Sequence, residues 1–455
     1  LRGLAVELEG QAARQYTAAF LRHLQSVKAL GGGKVFLGRD FRPSSPQIAQ
    51  DCAVAIAQFG LEPVDCGTLP TPALALDAMS AGCAAIMVTG SHIPVDRNGL
   101  KFYLPSGEIS KADEAGIVAA LRNETIEDRA LSVANGADEA TERYFQRFAD
   151  LLPGTALAGQ RIGLFEHSTV ARDLLGRILR RAGAEVVSLG RIDGFVAVDT
   201  EAFNDAVFHP LKEWLASEKL DAIVSADGDG DRPLLMDGEG EFVRGDVLGL
   251  LTARFLGART VVTPVTSNSA IERTGYFANV VRTKVGSPYV VAAMEQAHDA
   301  VVGFEANGGT FVGEGVSIQG KPLAALPTRD AVLPLLCVLG LAAEQGKTVS
   351  QLVADLPLQI AMADRIQNIP SERSSAFLDR MEIDESFAQA FFGDQGITSL
   401  SAIDGLQFRT ISGDMVHFRA SGNAPELRCY VESSTADQAK SLLGWAMAAA
   451  AKQVS

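Results

Sequence analysis

Three times along the chain, short apolar runs of strand length alternate with longer stretches of helical spacing, and that alternation admits few architectures. The first pass predicts strand Lys34–Gly38, helix Pro46–Phe59, strand Pro63–Cys66, helix Thr71–Met79 and strand Ala84–Val88. The second predicts strand Arg161–Phe165, a helix near Ala171–Arg181, strand Glu185–Leu189, a helix near Leu211–Ser217 and strand Ala222–Ser225. The third predicts helix Asp246–Phe255, strand Thr260–Val265, helix Ala270–Tyr276, strand Val280–Val285, helix Pro288–Ala297 and strand Val301–Phe304. Units of this kind form parallel sheets whose ligand-binding loops lie at the carboxyl ends of the strands. The tail differs: Phe408–Ile411, Met415–Phe418 and Arg428–Val431 read as neighbouring strands before an Ala-rich helix at Ala436–Lys452, an α+β pattern. A chain of 455 residues is too long for one core, given a usual domain size of about 100–200 residues. The expected domains are 1–140, 141–244, 245–355 and 356–455.

Composition narrows the function. An abundance of glycine, 44 residues against 2 Trp and 6 Tyr, suits an α/β enzyme with many strand-to-loop turns. The formal charge of −15 disfavours nonspecific attraction to nucleic acid or to a membrane surface, so an anionic substrate needs a locally basic pocket. Cys52, Cys66, Cys83, Cys337 and Cys429 are scattered and lack C-x-x-C spacing, which suggests neither a disulfide framework nor a zinc site and fits a reducing compartment. No apolar run reaches the roughly 18 residues of a membrane span, and Leu1-Arg2-Gly3-Leu4 lacks a signal-peptide pattern. A cytoplasmic monomer or dimer is expected. The first residue is not Met, so native residues are expected to precede it.

Four loops carry chemistry. After the strand ending at Val88 comes Thr89-Gly90-Ser91-His92-Ile93-Pro94, then Asn98-Gly99-Leu100-Lys101. Glycine beside serine lets a phosphate-sized group approach the backbone, and His92 and Lys101 supply donors. Read alone, this loop is a polar turn. The strand Ala222–Ser225 delivers Asp227-Gly228-Asp229-Gly230-Asp231-Arg232, whose three carboxylates repel unless a cation sits among them. Oxygen-only ligands favour a hard ion such as Mg²⁺. A calcium loop of the EF-hand type would need Gly and Glu at its sixth and twelfth positions, where Arg232 and Gly238 stand. Glu305-Ala306-Asn307-Gly308-Gly309 presents a carboxylate and an amide, as sugar hydroxyls require, although taken alone such a segment is more often a turn than a sugar site. Arg419-Ala420-Ser421-Gly422-Asn423 with Arg428 forms a plausible phosphate cradle or a solvated turn between strands. Pro70-Thr71-Pro72 reads as a helix start with Pro at its first position. Arg39, Asp40 and Arg42 read as an anion-binding segment or an ordinary exposed loop.

Taken together and in this order, the four loops resemble the α-D-phosphohexomutase superfamily, which includes phosphomannomutases, phosphoglucomutases and phosphoglucosamine mutases. The resemblance spans nearly the whole chain. Ser91 stands where the family has its phosphoserine, usually within Thr-Ala-Ser-His-Asn-Pro, with Gly90 and Ile93 as departures. Asp227, Asp229 and Asp231 match the metal loop without departure. Glu305 and Asn307 occupy the sugar-recognition loop, where Ser is usual in place of Asn307. Arg419, Ser421, Gly422 and Asn423 resemble the Arg-x-Ser-Gly-Thr phosphate loop, with Asn423 replacing Thr. Asn98 and Lys101 match an Asn-Gly-x-Lys extension, Arg2 and Gly3 look like the end of a Gly-x-Arg-Gly segment, and Lys284 with Gly286 resembles a loop of the third domain.

The resemblance implies three α/β domains with mixed, largely parallel sheets plus a C-terminal α+β domain around a central cleft. These would serve in order as phosphoserine, metal-binding, sugar-binding and phosphate-binding domains. It implies a phosphohexomutase that interconverts hexose 1-phosphate and 6-phosphate through phosphoserine and a 1,6-bisphosphate, which is both intermediate and activator. Mg²⁺ would be held by Ser91 and the three aspartates. Arg2 and Arg232 would offset developing charge, and His92 or Lys101 would move the hydroxyl proton. Lys284, Arg419, Ser421, Gly422, Asn423 and Arg428 would bind the phosphosugar. The Asn-Ala-Pro-Glu run after Gly422 favours phosphomannose, with glucose or dual specificity second. Readings of another class are a non-catalytic phosphosugar-binding protein and a metal-dependent phosphatase without phosphoserine.

Overall fold

The computed structural model describes residues 1–128, 131–203, 206–318, 320–421 and 425–454. The chain divides into two compact units, one comprising Leu1–Val262 with Ser287–Asp355, the other Thr263–Gly286 with Leu356–Ser455.

The first sheet of the first unit contains β1 (Arg2–Leu4), β2 (Lys34–Arg39), β3 (Glu62–Thr68), β4 (Ala84–Val88) and β5 (Arg97–Leu104), in the order β1-β5-β4-β2-β3 with Ala134–Asn135 beyond β3. The central strands are almost continuously apolar because both faces are covered, and β4 is buried throughout. Helices Gln11–Ser26 and Ser45–Gln58 bury Phe20, Leu24, Ile48 and Ile56 against Val35 and Ile86. The order reverses between β2 and its neighbours: β3 and β4 both run parallel to β2, whereas β5 returns antiparallel to β4 and carries Lys101 beside Met87.

The second sheet has the order Pro233–Met236, Ala222–Ala226, Arg161–Phe165, Glu185–Leu189, with only the first strand antiparallel. In the third, Thr260–Pro264 runs parallel to Val301–Phe304, and Thr310–Val312 and Leu326–Asp330 follow antiparallel. Helix Val332–Gln345 is buried nearly all round. That uniform apolarity gives it no amphipathic stripe, which hides it from a search for periodicity.

The second unit holds an antiparallel sheet ordered Ile360–Gln367, Glu426–Ser433, Met415–Ala420, Leu406–Arg409, Ser399–Ser401. Its core gathers Phe377, Phe392, Phe408 and Phe418 under helix Ala436–Val454. Several bounds differ from expectation by two or three residues, the strand Val280–Val285 ending at Thr283 and the helix Pro288–Ala297 at Met294, and two further differences have a clear local cause. The strand expected at Phe408–Ile411 ends at Arg409, because the Thr410 N–H closes a turn onto the Asp414 carbonyl and leaves Ile411 exposed. The helix expected at Ala270–Tyr276 is only Ala270–Arg273, and Gly275 adopts a left-handed φ of 65° that ends it. Among the described residues, no helix is long and apolar enough to cross a membrane.

Candidate active site

Strand β4 ends at Val88 and releases Thr89-Gly90-Ser91. Ser91 has a φ of 55°, in the left-handed region that L-residues avoid, and its side chain is buried. From there its hydroxyl donates to Asp227 Oδ2 at 2.5 Å and lies 3.3 Å from His92 Nδ1. Burial, with Arg232 nearby, pulls the His92 pKa down to about 4.

The strand Ala222–Ala226 is buried along its length and delivers Asp227. Asp227 Oδ1 accepts the backbone N–H groups of Asp231 and Arg232, each at 3.1 Å, which folds the loop back on itself. Gly228 must be glycine because a Cβ there would stand 2.9 Å from the Ser91 carbonyl. Asp227, Asp229 and Asp231 are all buried and can each direct one carboxylate oxygen to within 4.8 Å of the others. Burial, with Asp229 and Asp231 alongside, pushes the Asp227 carboxyl well above its usual range. Burial pushes the other two in the same direction but loses. Lys101 and Thr71 hold Asp229 low, and Arg329, Lys101 and Arg232 hold Asp231 well below the carboxylate range.

The Lys101 ammonium bridges Asp229 Oδ2 at 2.5 Å and Asp231 Oδ2 at 2.6 Å. Asp229 Oδ1 and Asp231 Oδ1 are buried without a hydrogen-bond partner. Two orphaned carboxylate oxygens beside a third carboxylate fit a small divalent cation, since leaving such atoms unmatched is costly. The oxygen-only donor set selects a hard ion.

Two further residues, Thr71 and Arg329, join this loop to its surroundings. Thr71, which opens helix Thr71–Ser80, donates its hydroxyl to Asp229 Oδ2 at 2.6 Å and its N–H to the Asp229 carbonyl at 2.9 Å. The helix starts there as expected, but Pro72 is its second residue, and the local reading gave no hint of the contact. Arg329, on strand Leu326–Asp330, binds Asp231 Oδ2 through Nε at 3.1 Å and Glu305 Oε2 through Nη1 at 2.9 Å. It thereby ties the aspartate loop to the loop expected to hold sugar. No sequence signal singled out Arg329, which lies in an unremarkable Leu-Pro-Thr-Arg-Asp run.

The remaining residues of the first unit fall around these. Arg232 points one nitrogen at Glu201 Oε2, 3.5 Å away, while its Nε is buried without a hydrogen bond. Arg2 pairs with Gly99 across β1 and β5, and burial together with Arg232 lowers its pKa. Asn307 Oδ1 accepts the Gly309 N–H at 2.9 Å and shapes the Glu305 turn. The exposed-loop and anion-binding readings of Arg39, Asp40 and Arg42 are both wrong for the latter two. Asp40 and Arg42 are buried and bound to one another and to the serine loop, and Arg39 is paired with Asp65 at 2.7 Å.

In the second unit, Arg419 and Arg428 face each other on neighbouring strands. Each has an acidic partner: Arg419 pairs with Asp404 at 2.9 Å and Arg428 with Glu426 at 2.7 Å. Asp404 also accepts the Val285 N–H at 3.0 Å, so the Lys284 loop is anchored beside Arg419, with Lys284 itself exposed. The Ser421 N–H donates to the Glu426 carbonyl. Gly422 and Asn423 lie outside the described residues.

Residues 1–128 match the family model "Phosphoglucomutase/phosphomannomutase, alpha/beta/alpha domain I", and residues 244–359 match domain III of the same family. A phosphomannomutase of Sinorhizobium fredii is 48% identical over 98% of this chain and 97% of its own length. A phosphomannomutase of Salmonella muenchen is 41% identical over 96% of this chain and 91% of its own. A phosphoglucomutase/phosphomannomutase family structure from Burkholderia thailandensis superimposes with a TM-score of 0.78 at 20% identity, covering 99% of this chain and 95% of that one, which is a likeness of fold. The chain therefore belongs to the α-D-phosphohexomutase superfamily.

Proposed function

We propose that this chain is a phosphomannomutase that interconverts mannose 1-phosphate and mannose 6-phosphate, with Ser91 as the phosphate carrier. The observation that carries the reading is the Ser91 hydroxyl, 2.5 Å from Asp227 in a loop with two further, incompletely matched carboxylates. The preference for mannose is supported by the phosphomannomutase relatives at 48% and 41% identity.

In the first transfer, the P–Oγ bond of phospho-Ser91 breaks, the phosphoryl group bonds to the free hydroxyl of the hexose phosphate, and a 1,6-bisphosphate forms. The bisphosphate turns over, and its other phosphoryl group returns to Ser91 Oγ. The proton of the attacking sugar hydroxyl passes by way of His92 to the departing Ser91 Oγ, which lies 3.3 Å from His92 Nδ1, and the second transfer reverses this exchange. Lys101 is held as an ammonium by two carboxylates and supplies positive charge to the phosphoryl oxygens. Arg2 and Arg232 add to that charge. Asp227, Asp229, Asp231 and the Ser91 oxygen would hold Mg²⁺, which would supply Lewis-acid neutralisation of charge on the phosphoryl group. Glu305 and Asn307 bind sugar hydroxyls, while Lys284, Arg419, Ser421, Gly422, Asn423 and Arg428 hold the phosphate not being transferred. On this reading 1–140, 141–244, 245–355 and 356–455 serve as phosphoserine, metal, sugar and phosphate segments.

Intact-protein mass should show a phosphorylated fraction that disappears on incubation with excess mannose phosphate. Ser91→Ala should lack that fraction and lose at least about 10³-fold in turnover, as when other covalent nucleophiles are removed. Turnover near that of the unaltered protein would rule out Ser91 as carrier. Rates on mannose, glucose and glucosamine 1-phosphates rank the sugars.

A further inference from the structure

Asp40 and Arg42 follow β2 and lie beneath the serine loop, where the Arg42 guanidinium is 1% exposed and has all five N–H groups engaged. Nε donates to Asp40 Oδ2 at 3.1 Å. Nη1 donates to the carbonyls of Pro94 at 2.6 Å and Arg97 at 2.8 Å, and Nη2 to those of Ser91 at 3.0 Å and Ile93 at 2.6 Å. Asp40 accepts in turn from the hydroxyls of Ser45 and Thr89 and from the Gly90 N–H. The ring of Phe195, from the 191–199 loop of the same unit, stacks 4.1 Å from Arg42 Cζ. A Cβ added to Gly90 would stand 2.6 Å from that same Cζ.

A buried cation is costly unless its donors are met, and four of these five donors are met by carbonyls of the short segment from Ser91 to Arg97, where β5 begins. A plain turn closes on its own backbone and has no need of such a group. What this loop has that a plain turn lacks is Ser91 in a left-handed backbone conformation, φ 55°, with Oγ directed at Asp227. Strain of that kind persists only where surrounding contacts impose it.

We infer that Arg42 is a positioning residue for phosphoryl transfer: by gathering the carbonyls of Ser91, Ile93, Pro94 and Arg97 it imposes the backbone conformation that aims Ser91 Oγ at the aspartate loop. Gly90 is glycine because the guanidinium fills its side-chain space. The inference rests on Ser91 as the phosphate carrier. Since no Arg42 N–H is left to touch a substrate, its loss acts on the chemical step and leaves sugar binding alone. The departure at Gly90 and the buried arginine at position 42 are then one feature.

The test measures kcat, KM and the single-turnover rate at which hexose 1,6-bisphosphate phosphorylates the dephosphorylated protein. Arg42→Lys cannot span four carbonyls, and it should lower kcat and the phosphorylation rate together by about 10- to 100-fold with KM within about twofold, a loss typical of small misplacement at a reacting group. Gly90→Ala, which leaves every charge in place, should do the same. In an Arg42→Ala background, which removes the colliding group, Gly90→Ala should cost almost nothing further, and added guanidinium ion should restore part of the Arg42→Ala rate but none in the double variant. If Arg42→Ala does not fold, Arg42→Lys and Gly90→Ala decide the matter alone. Unchanged phosphorylation rates, a raised KM with normal kcat, or fully additive losses would overturn the positioning role. An unaltered protein that never carries phosphate on Ser91 would instead overturn the carrier reading, so the two failures are distinct.

Discussion

Lys101 neutralises two of the three aspartates, with Nζ at 2.5 and 2.6 Å from their Oδ2 atoms, and its side chain is only 18% exposed. Three carboxylates in one buried loop need positive charge, and the structure meets that need with a side chain where the proposed function places a metal. The two demands compete for the same oxygens. Lys101→Met should therefore tighten Mg²⁺ binding about tenfold or more, the worth of a charge-assisted hydrogen bond that the ion no longer displaces. The same variant should lose turnover, because the ammonium also faces the phosphoryl group. Calorimetric titration with Mg²⁺ checks the first effect; weaker binding in the variant would show that Lys101 and the metal do not share these carboxylates. At this scale the acids were legible in the sequence, because alternate aspartates separated by glycines are a local pattern. Their opposed pKa shifts were not, because each is the outcome of burial against charges delivered from other strands.

Strand Leu326–Asp330 shows how an element divides its labour. Its buried residues alternate, so Asp330 and Arg329 point to opposite faces. Asp330 accepts the Tyr144 hydroxyl at 2.7 Å and the N–H of Val332 at 2.9 Å, fixing the start of helix Val332–Gln345. Arg329, on the other face, bridges Asp231 and Glu305. Burial alone would weaken its charge, but Asp231 and Glu305 raise its pKa well above normal, so it is a permanent cation. Arg329→Met would strand two largely buried carboxylates and should cost about 3 kcal/mol, the lower end for breaking a buried pair given some remaining exposure. Urea denaturation with and without Mg²⁺ measures it, and a loss below about 0.5 kcal/mol, as for an exposed pair, would show that the bridge is not structural. The strand escaped sequence reading because proline within a five-residue run resembles a turn. The strands β4 and Ala222–Ala226 were legible because unbroken burial requires unbroken apolar sequence.

Over the whole molecule, the phenylalanine cluster of the second unit belongs to that unit's own sheet and helices. Phe418→Ala should cost about 3–5 kcal/mol, as for other large-to-small core changes. Hydrogen exchange read by mass spectrometry should rise in peptides from 406–431 and stay unchanged in those covering β2 and β4; an equal rise in both would show that the chain opens as one cooperative body. Repeated strand-helix alternation, the antiparallel tail and the acidic and serine loops were all determined by the sequence itself, since each depends on periodicity or spacing within a short window. The tertiary structure alone decided the pairings that complete the candidate site. Lys101 meets Asp229 across 128 positions, Arg329 meets Asp231 across 98, and Thr71 meets Asp229 across 158. Such partners are set by strand order and by which strand ends converge, and no local pattern encodes either. Arg42 shows the same division within a shorter span: its charge is plain in the sequence, while it meets the carbonyls of the segment between β4 and β5 only when β2, β4 and β5 lie side by side.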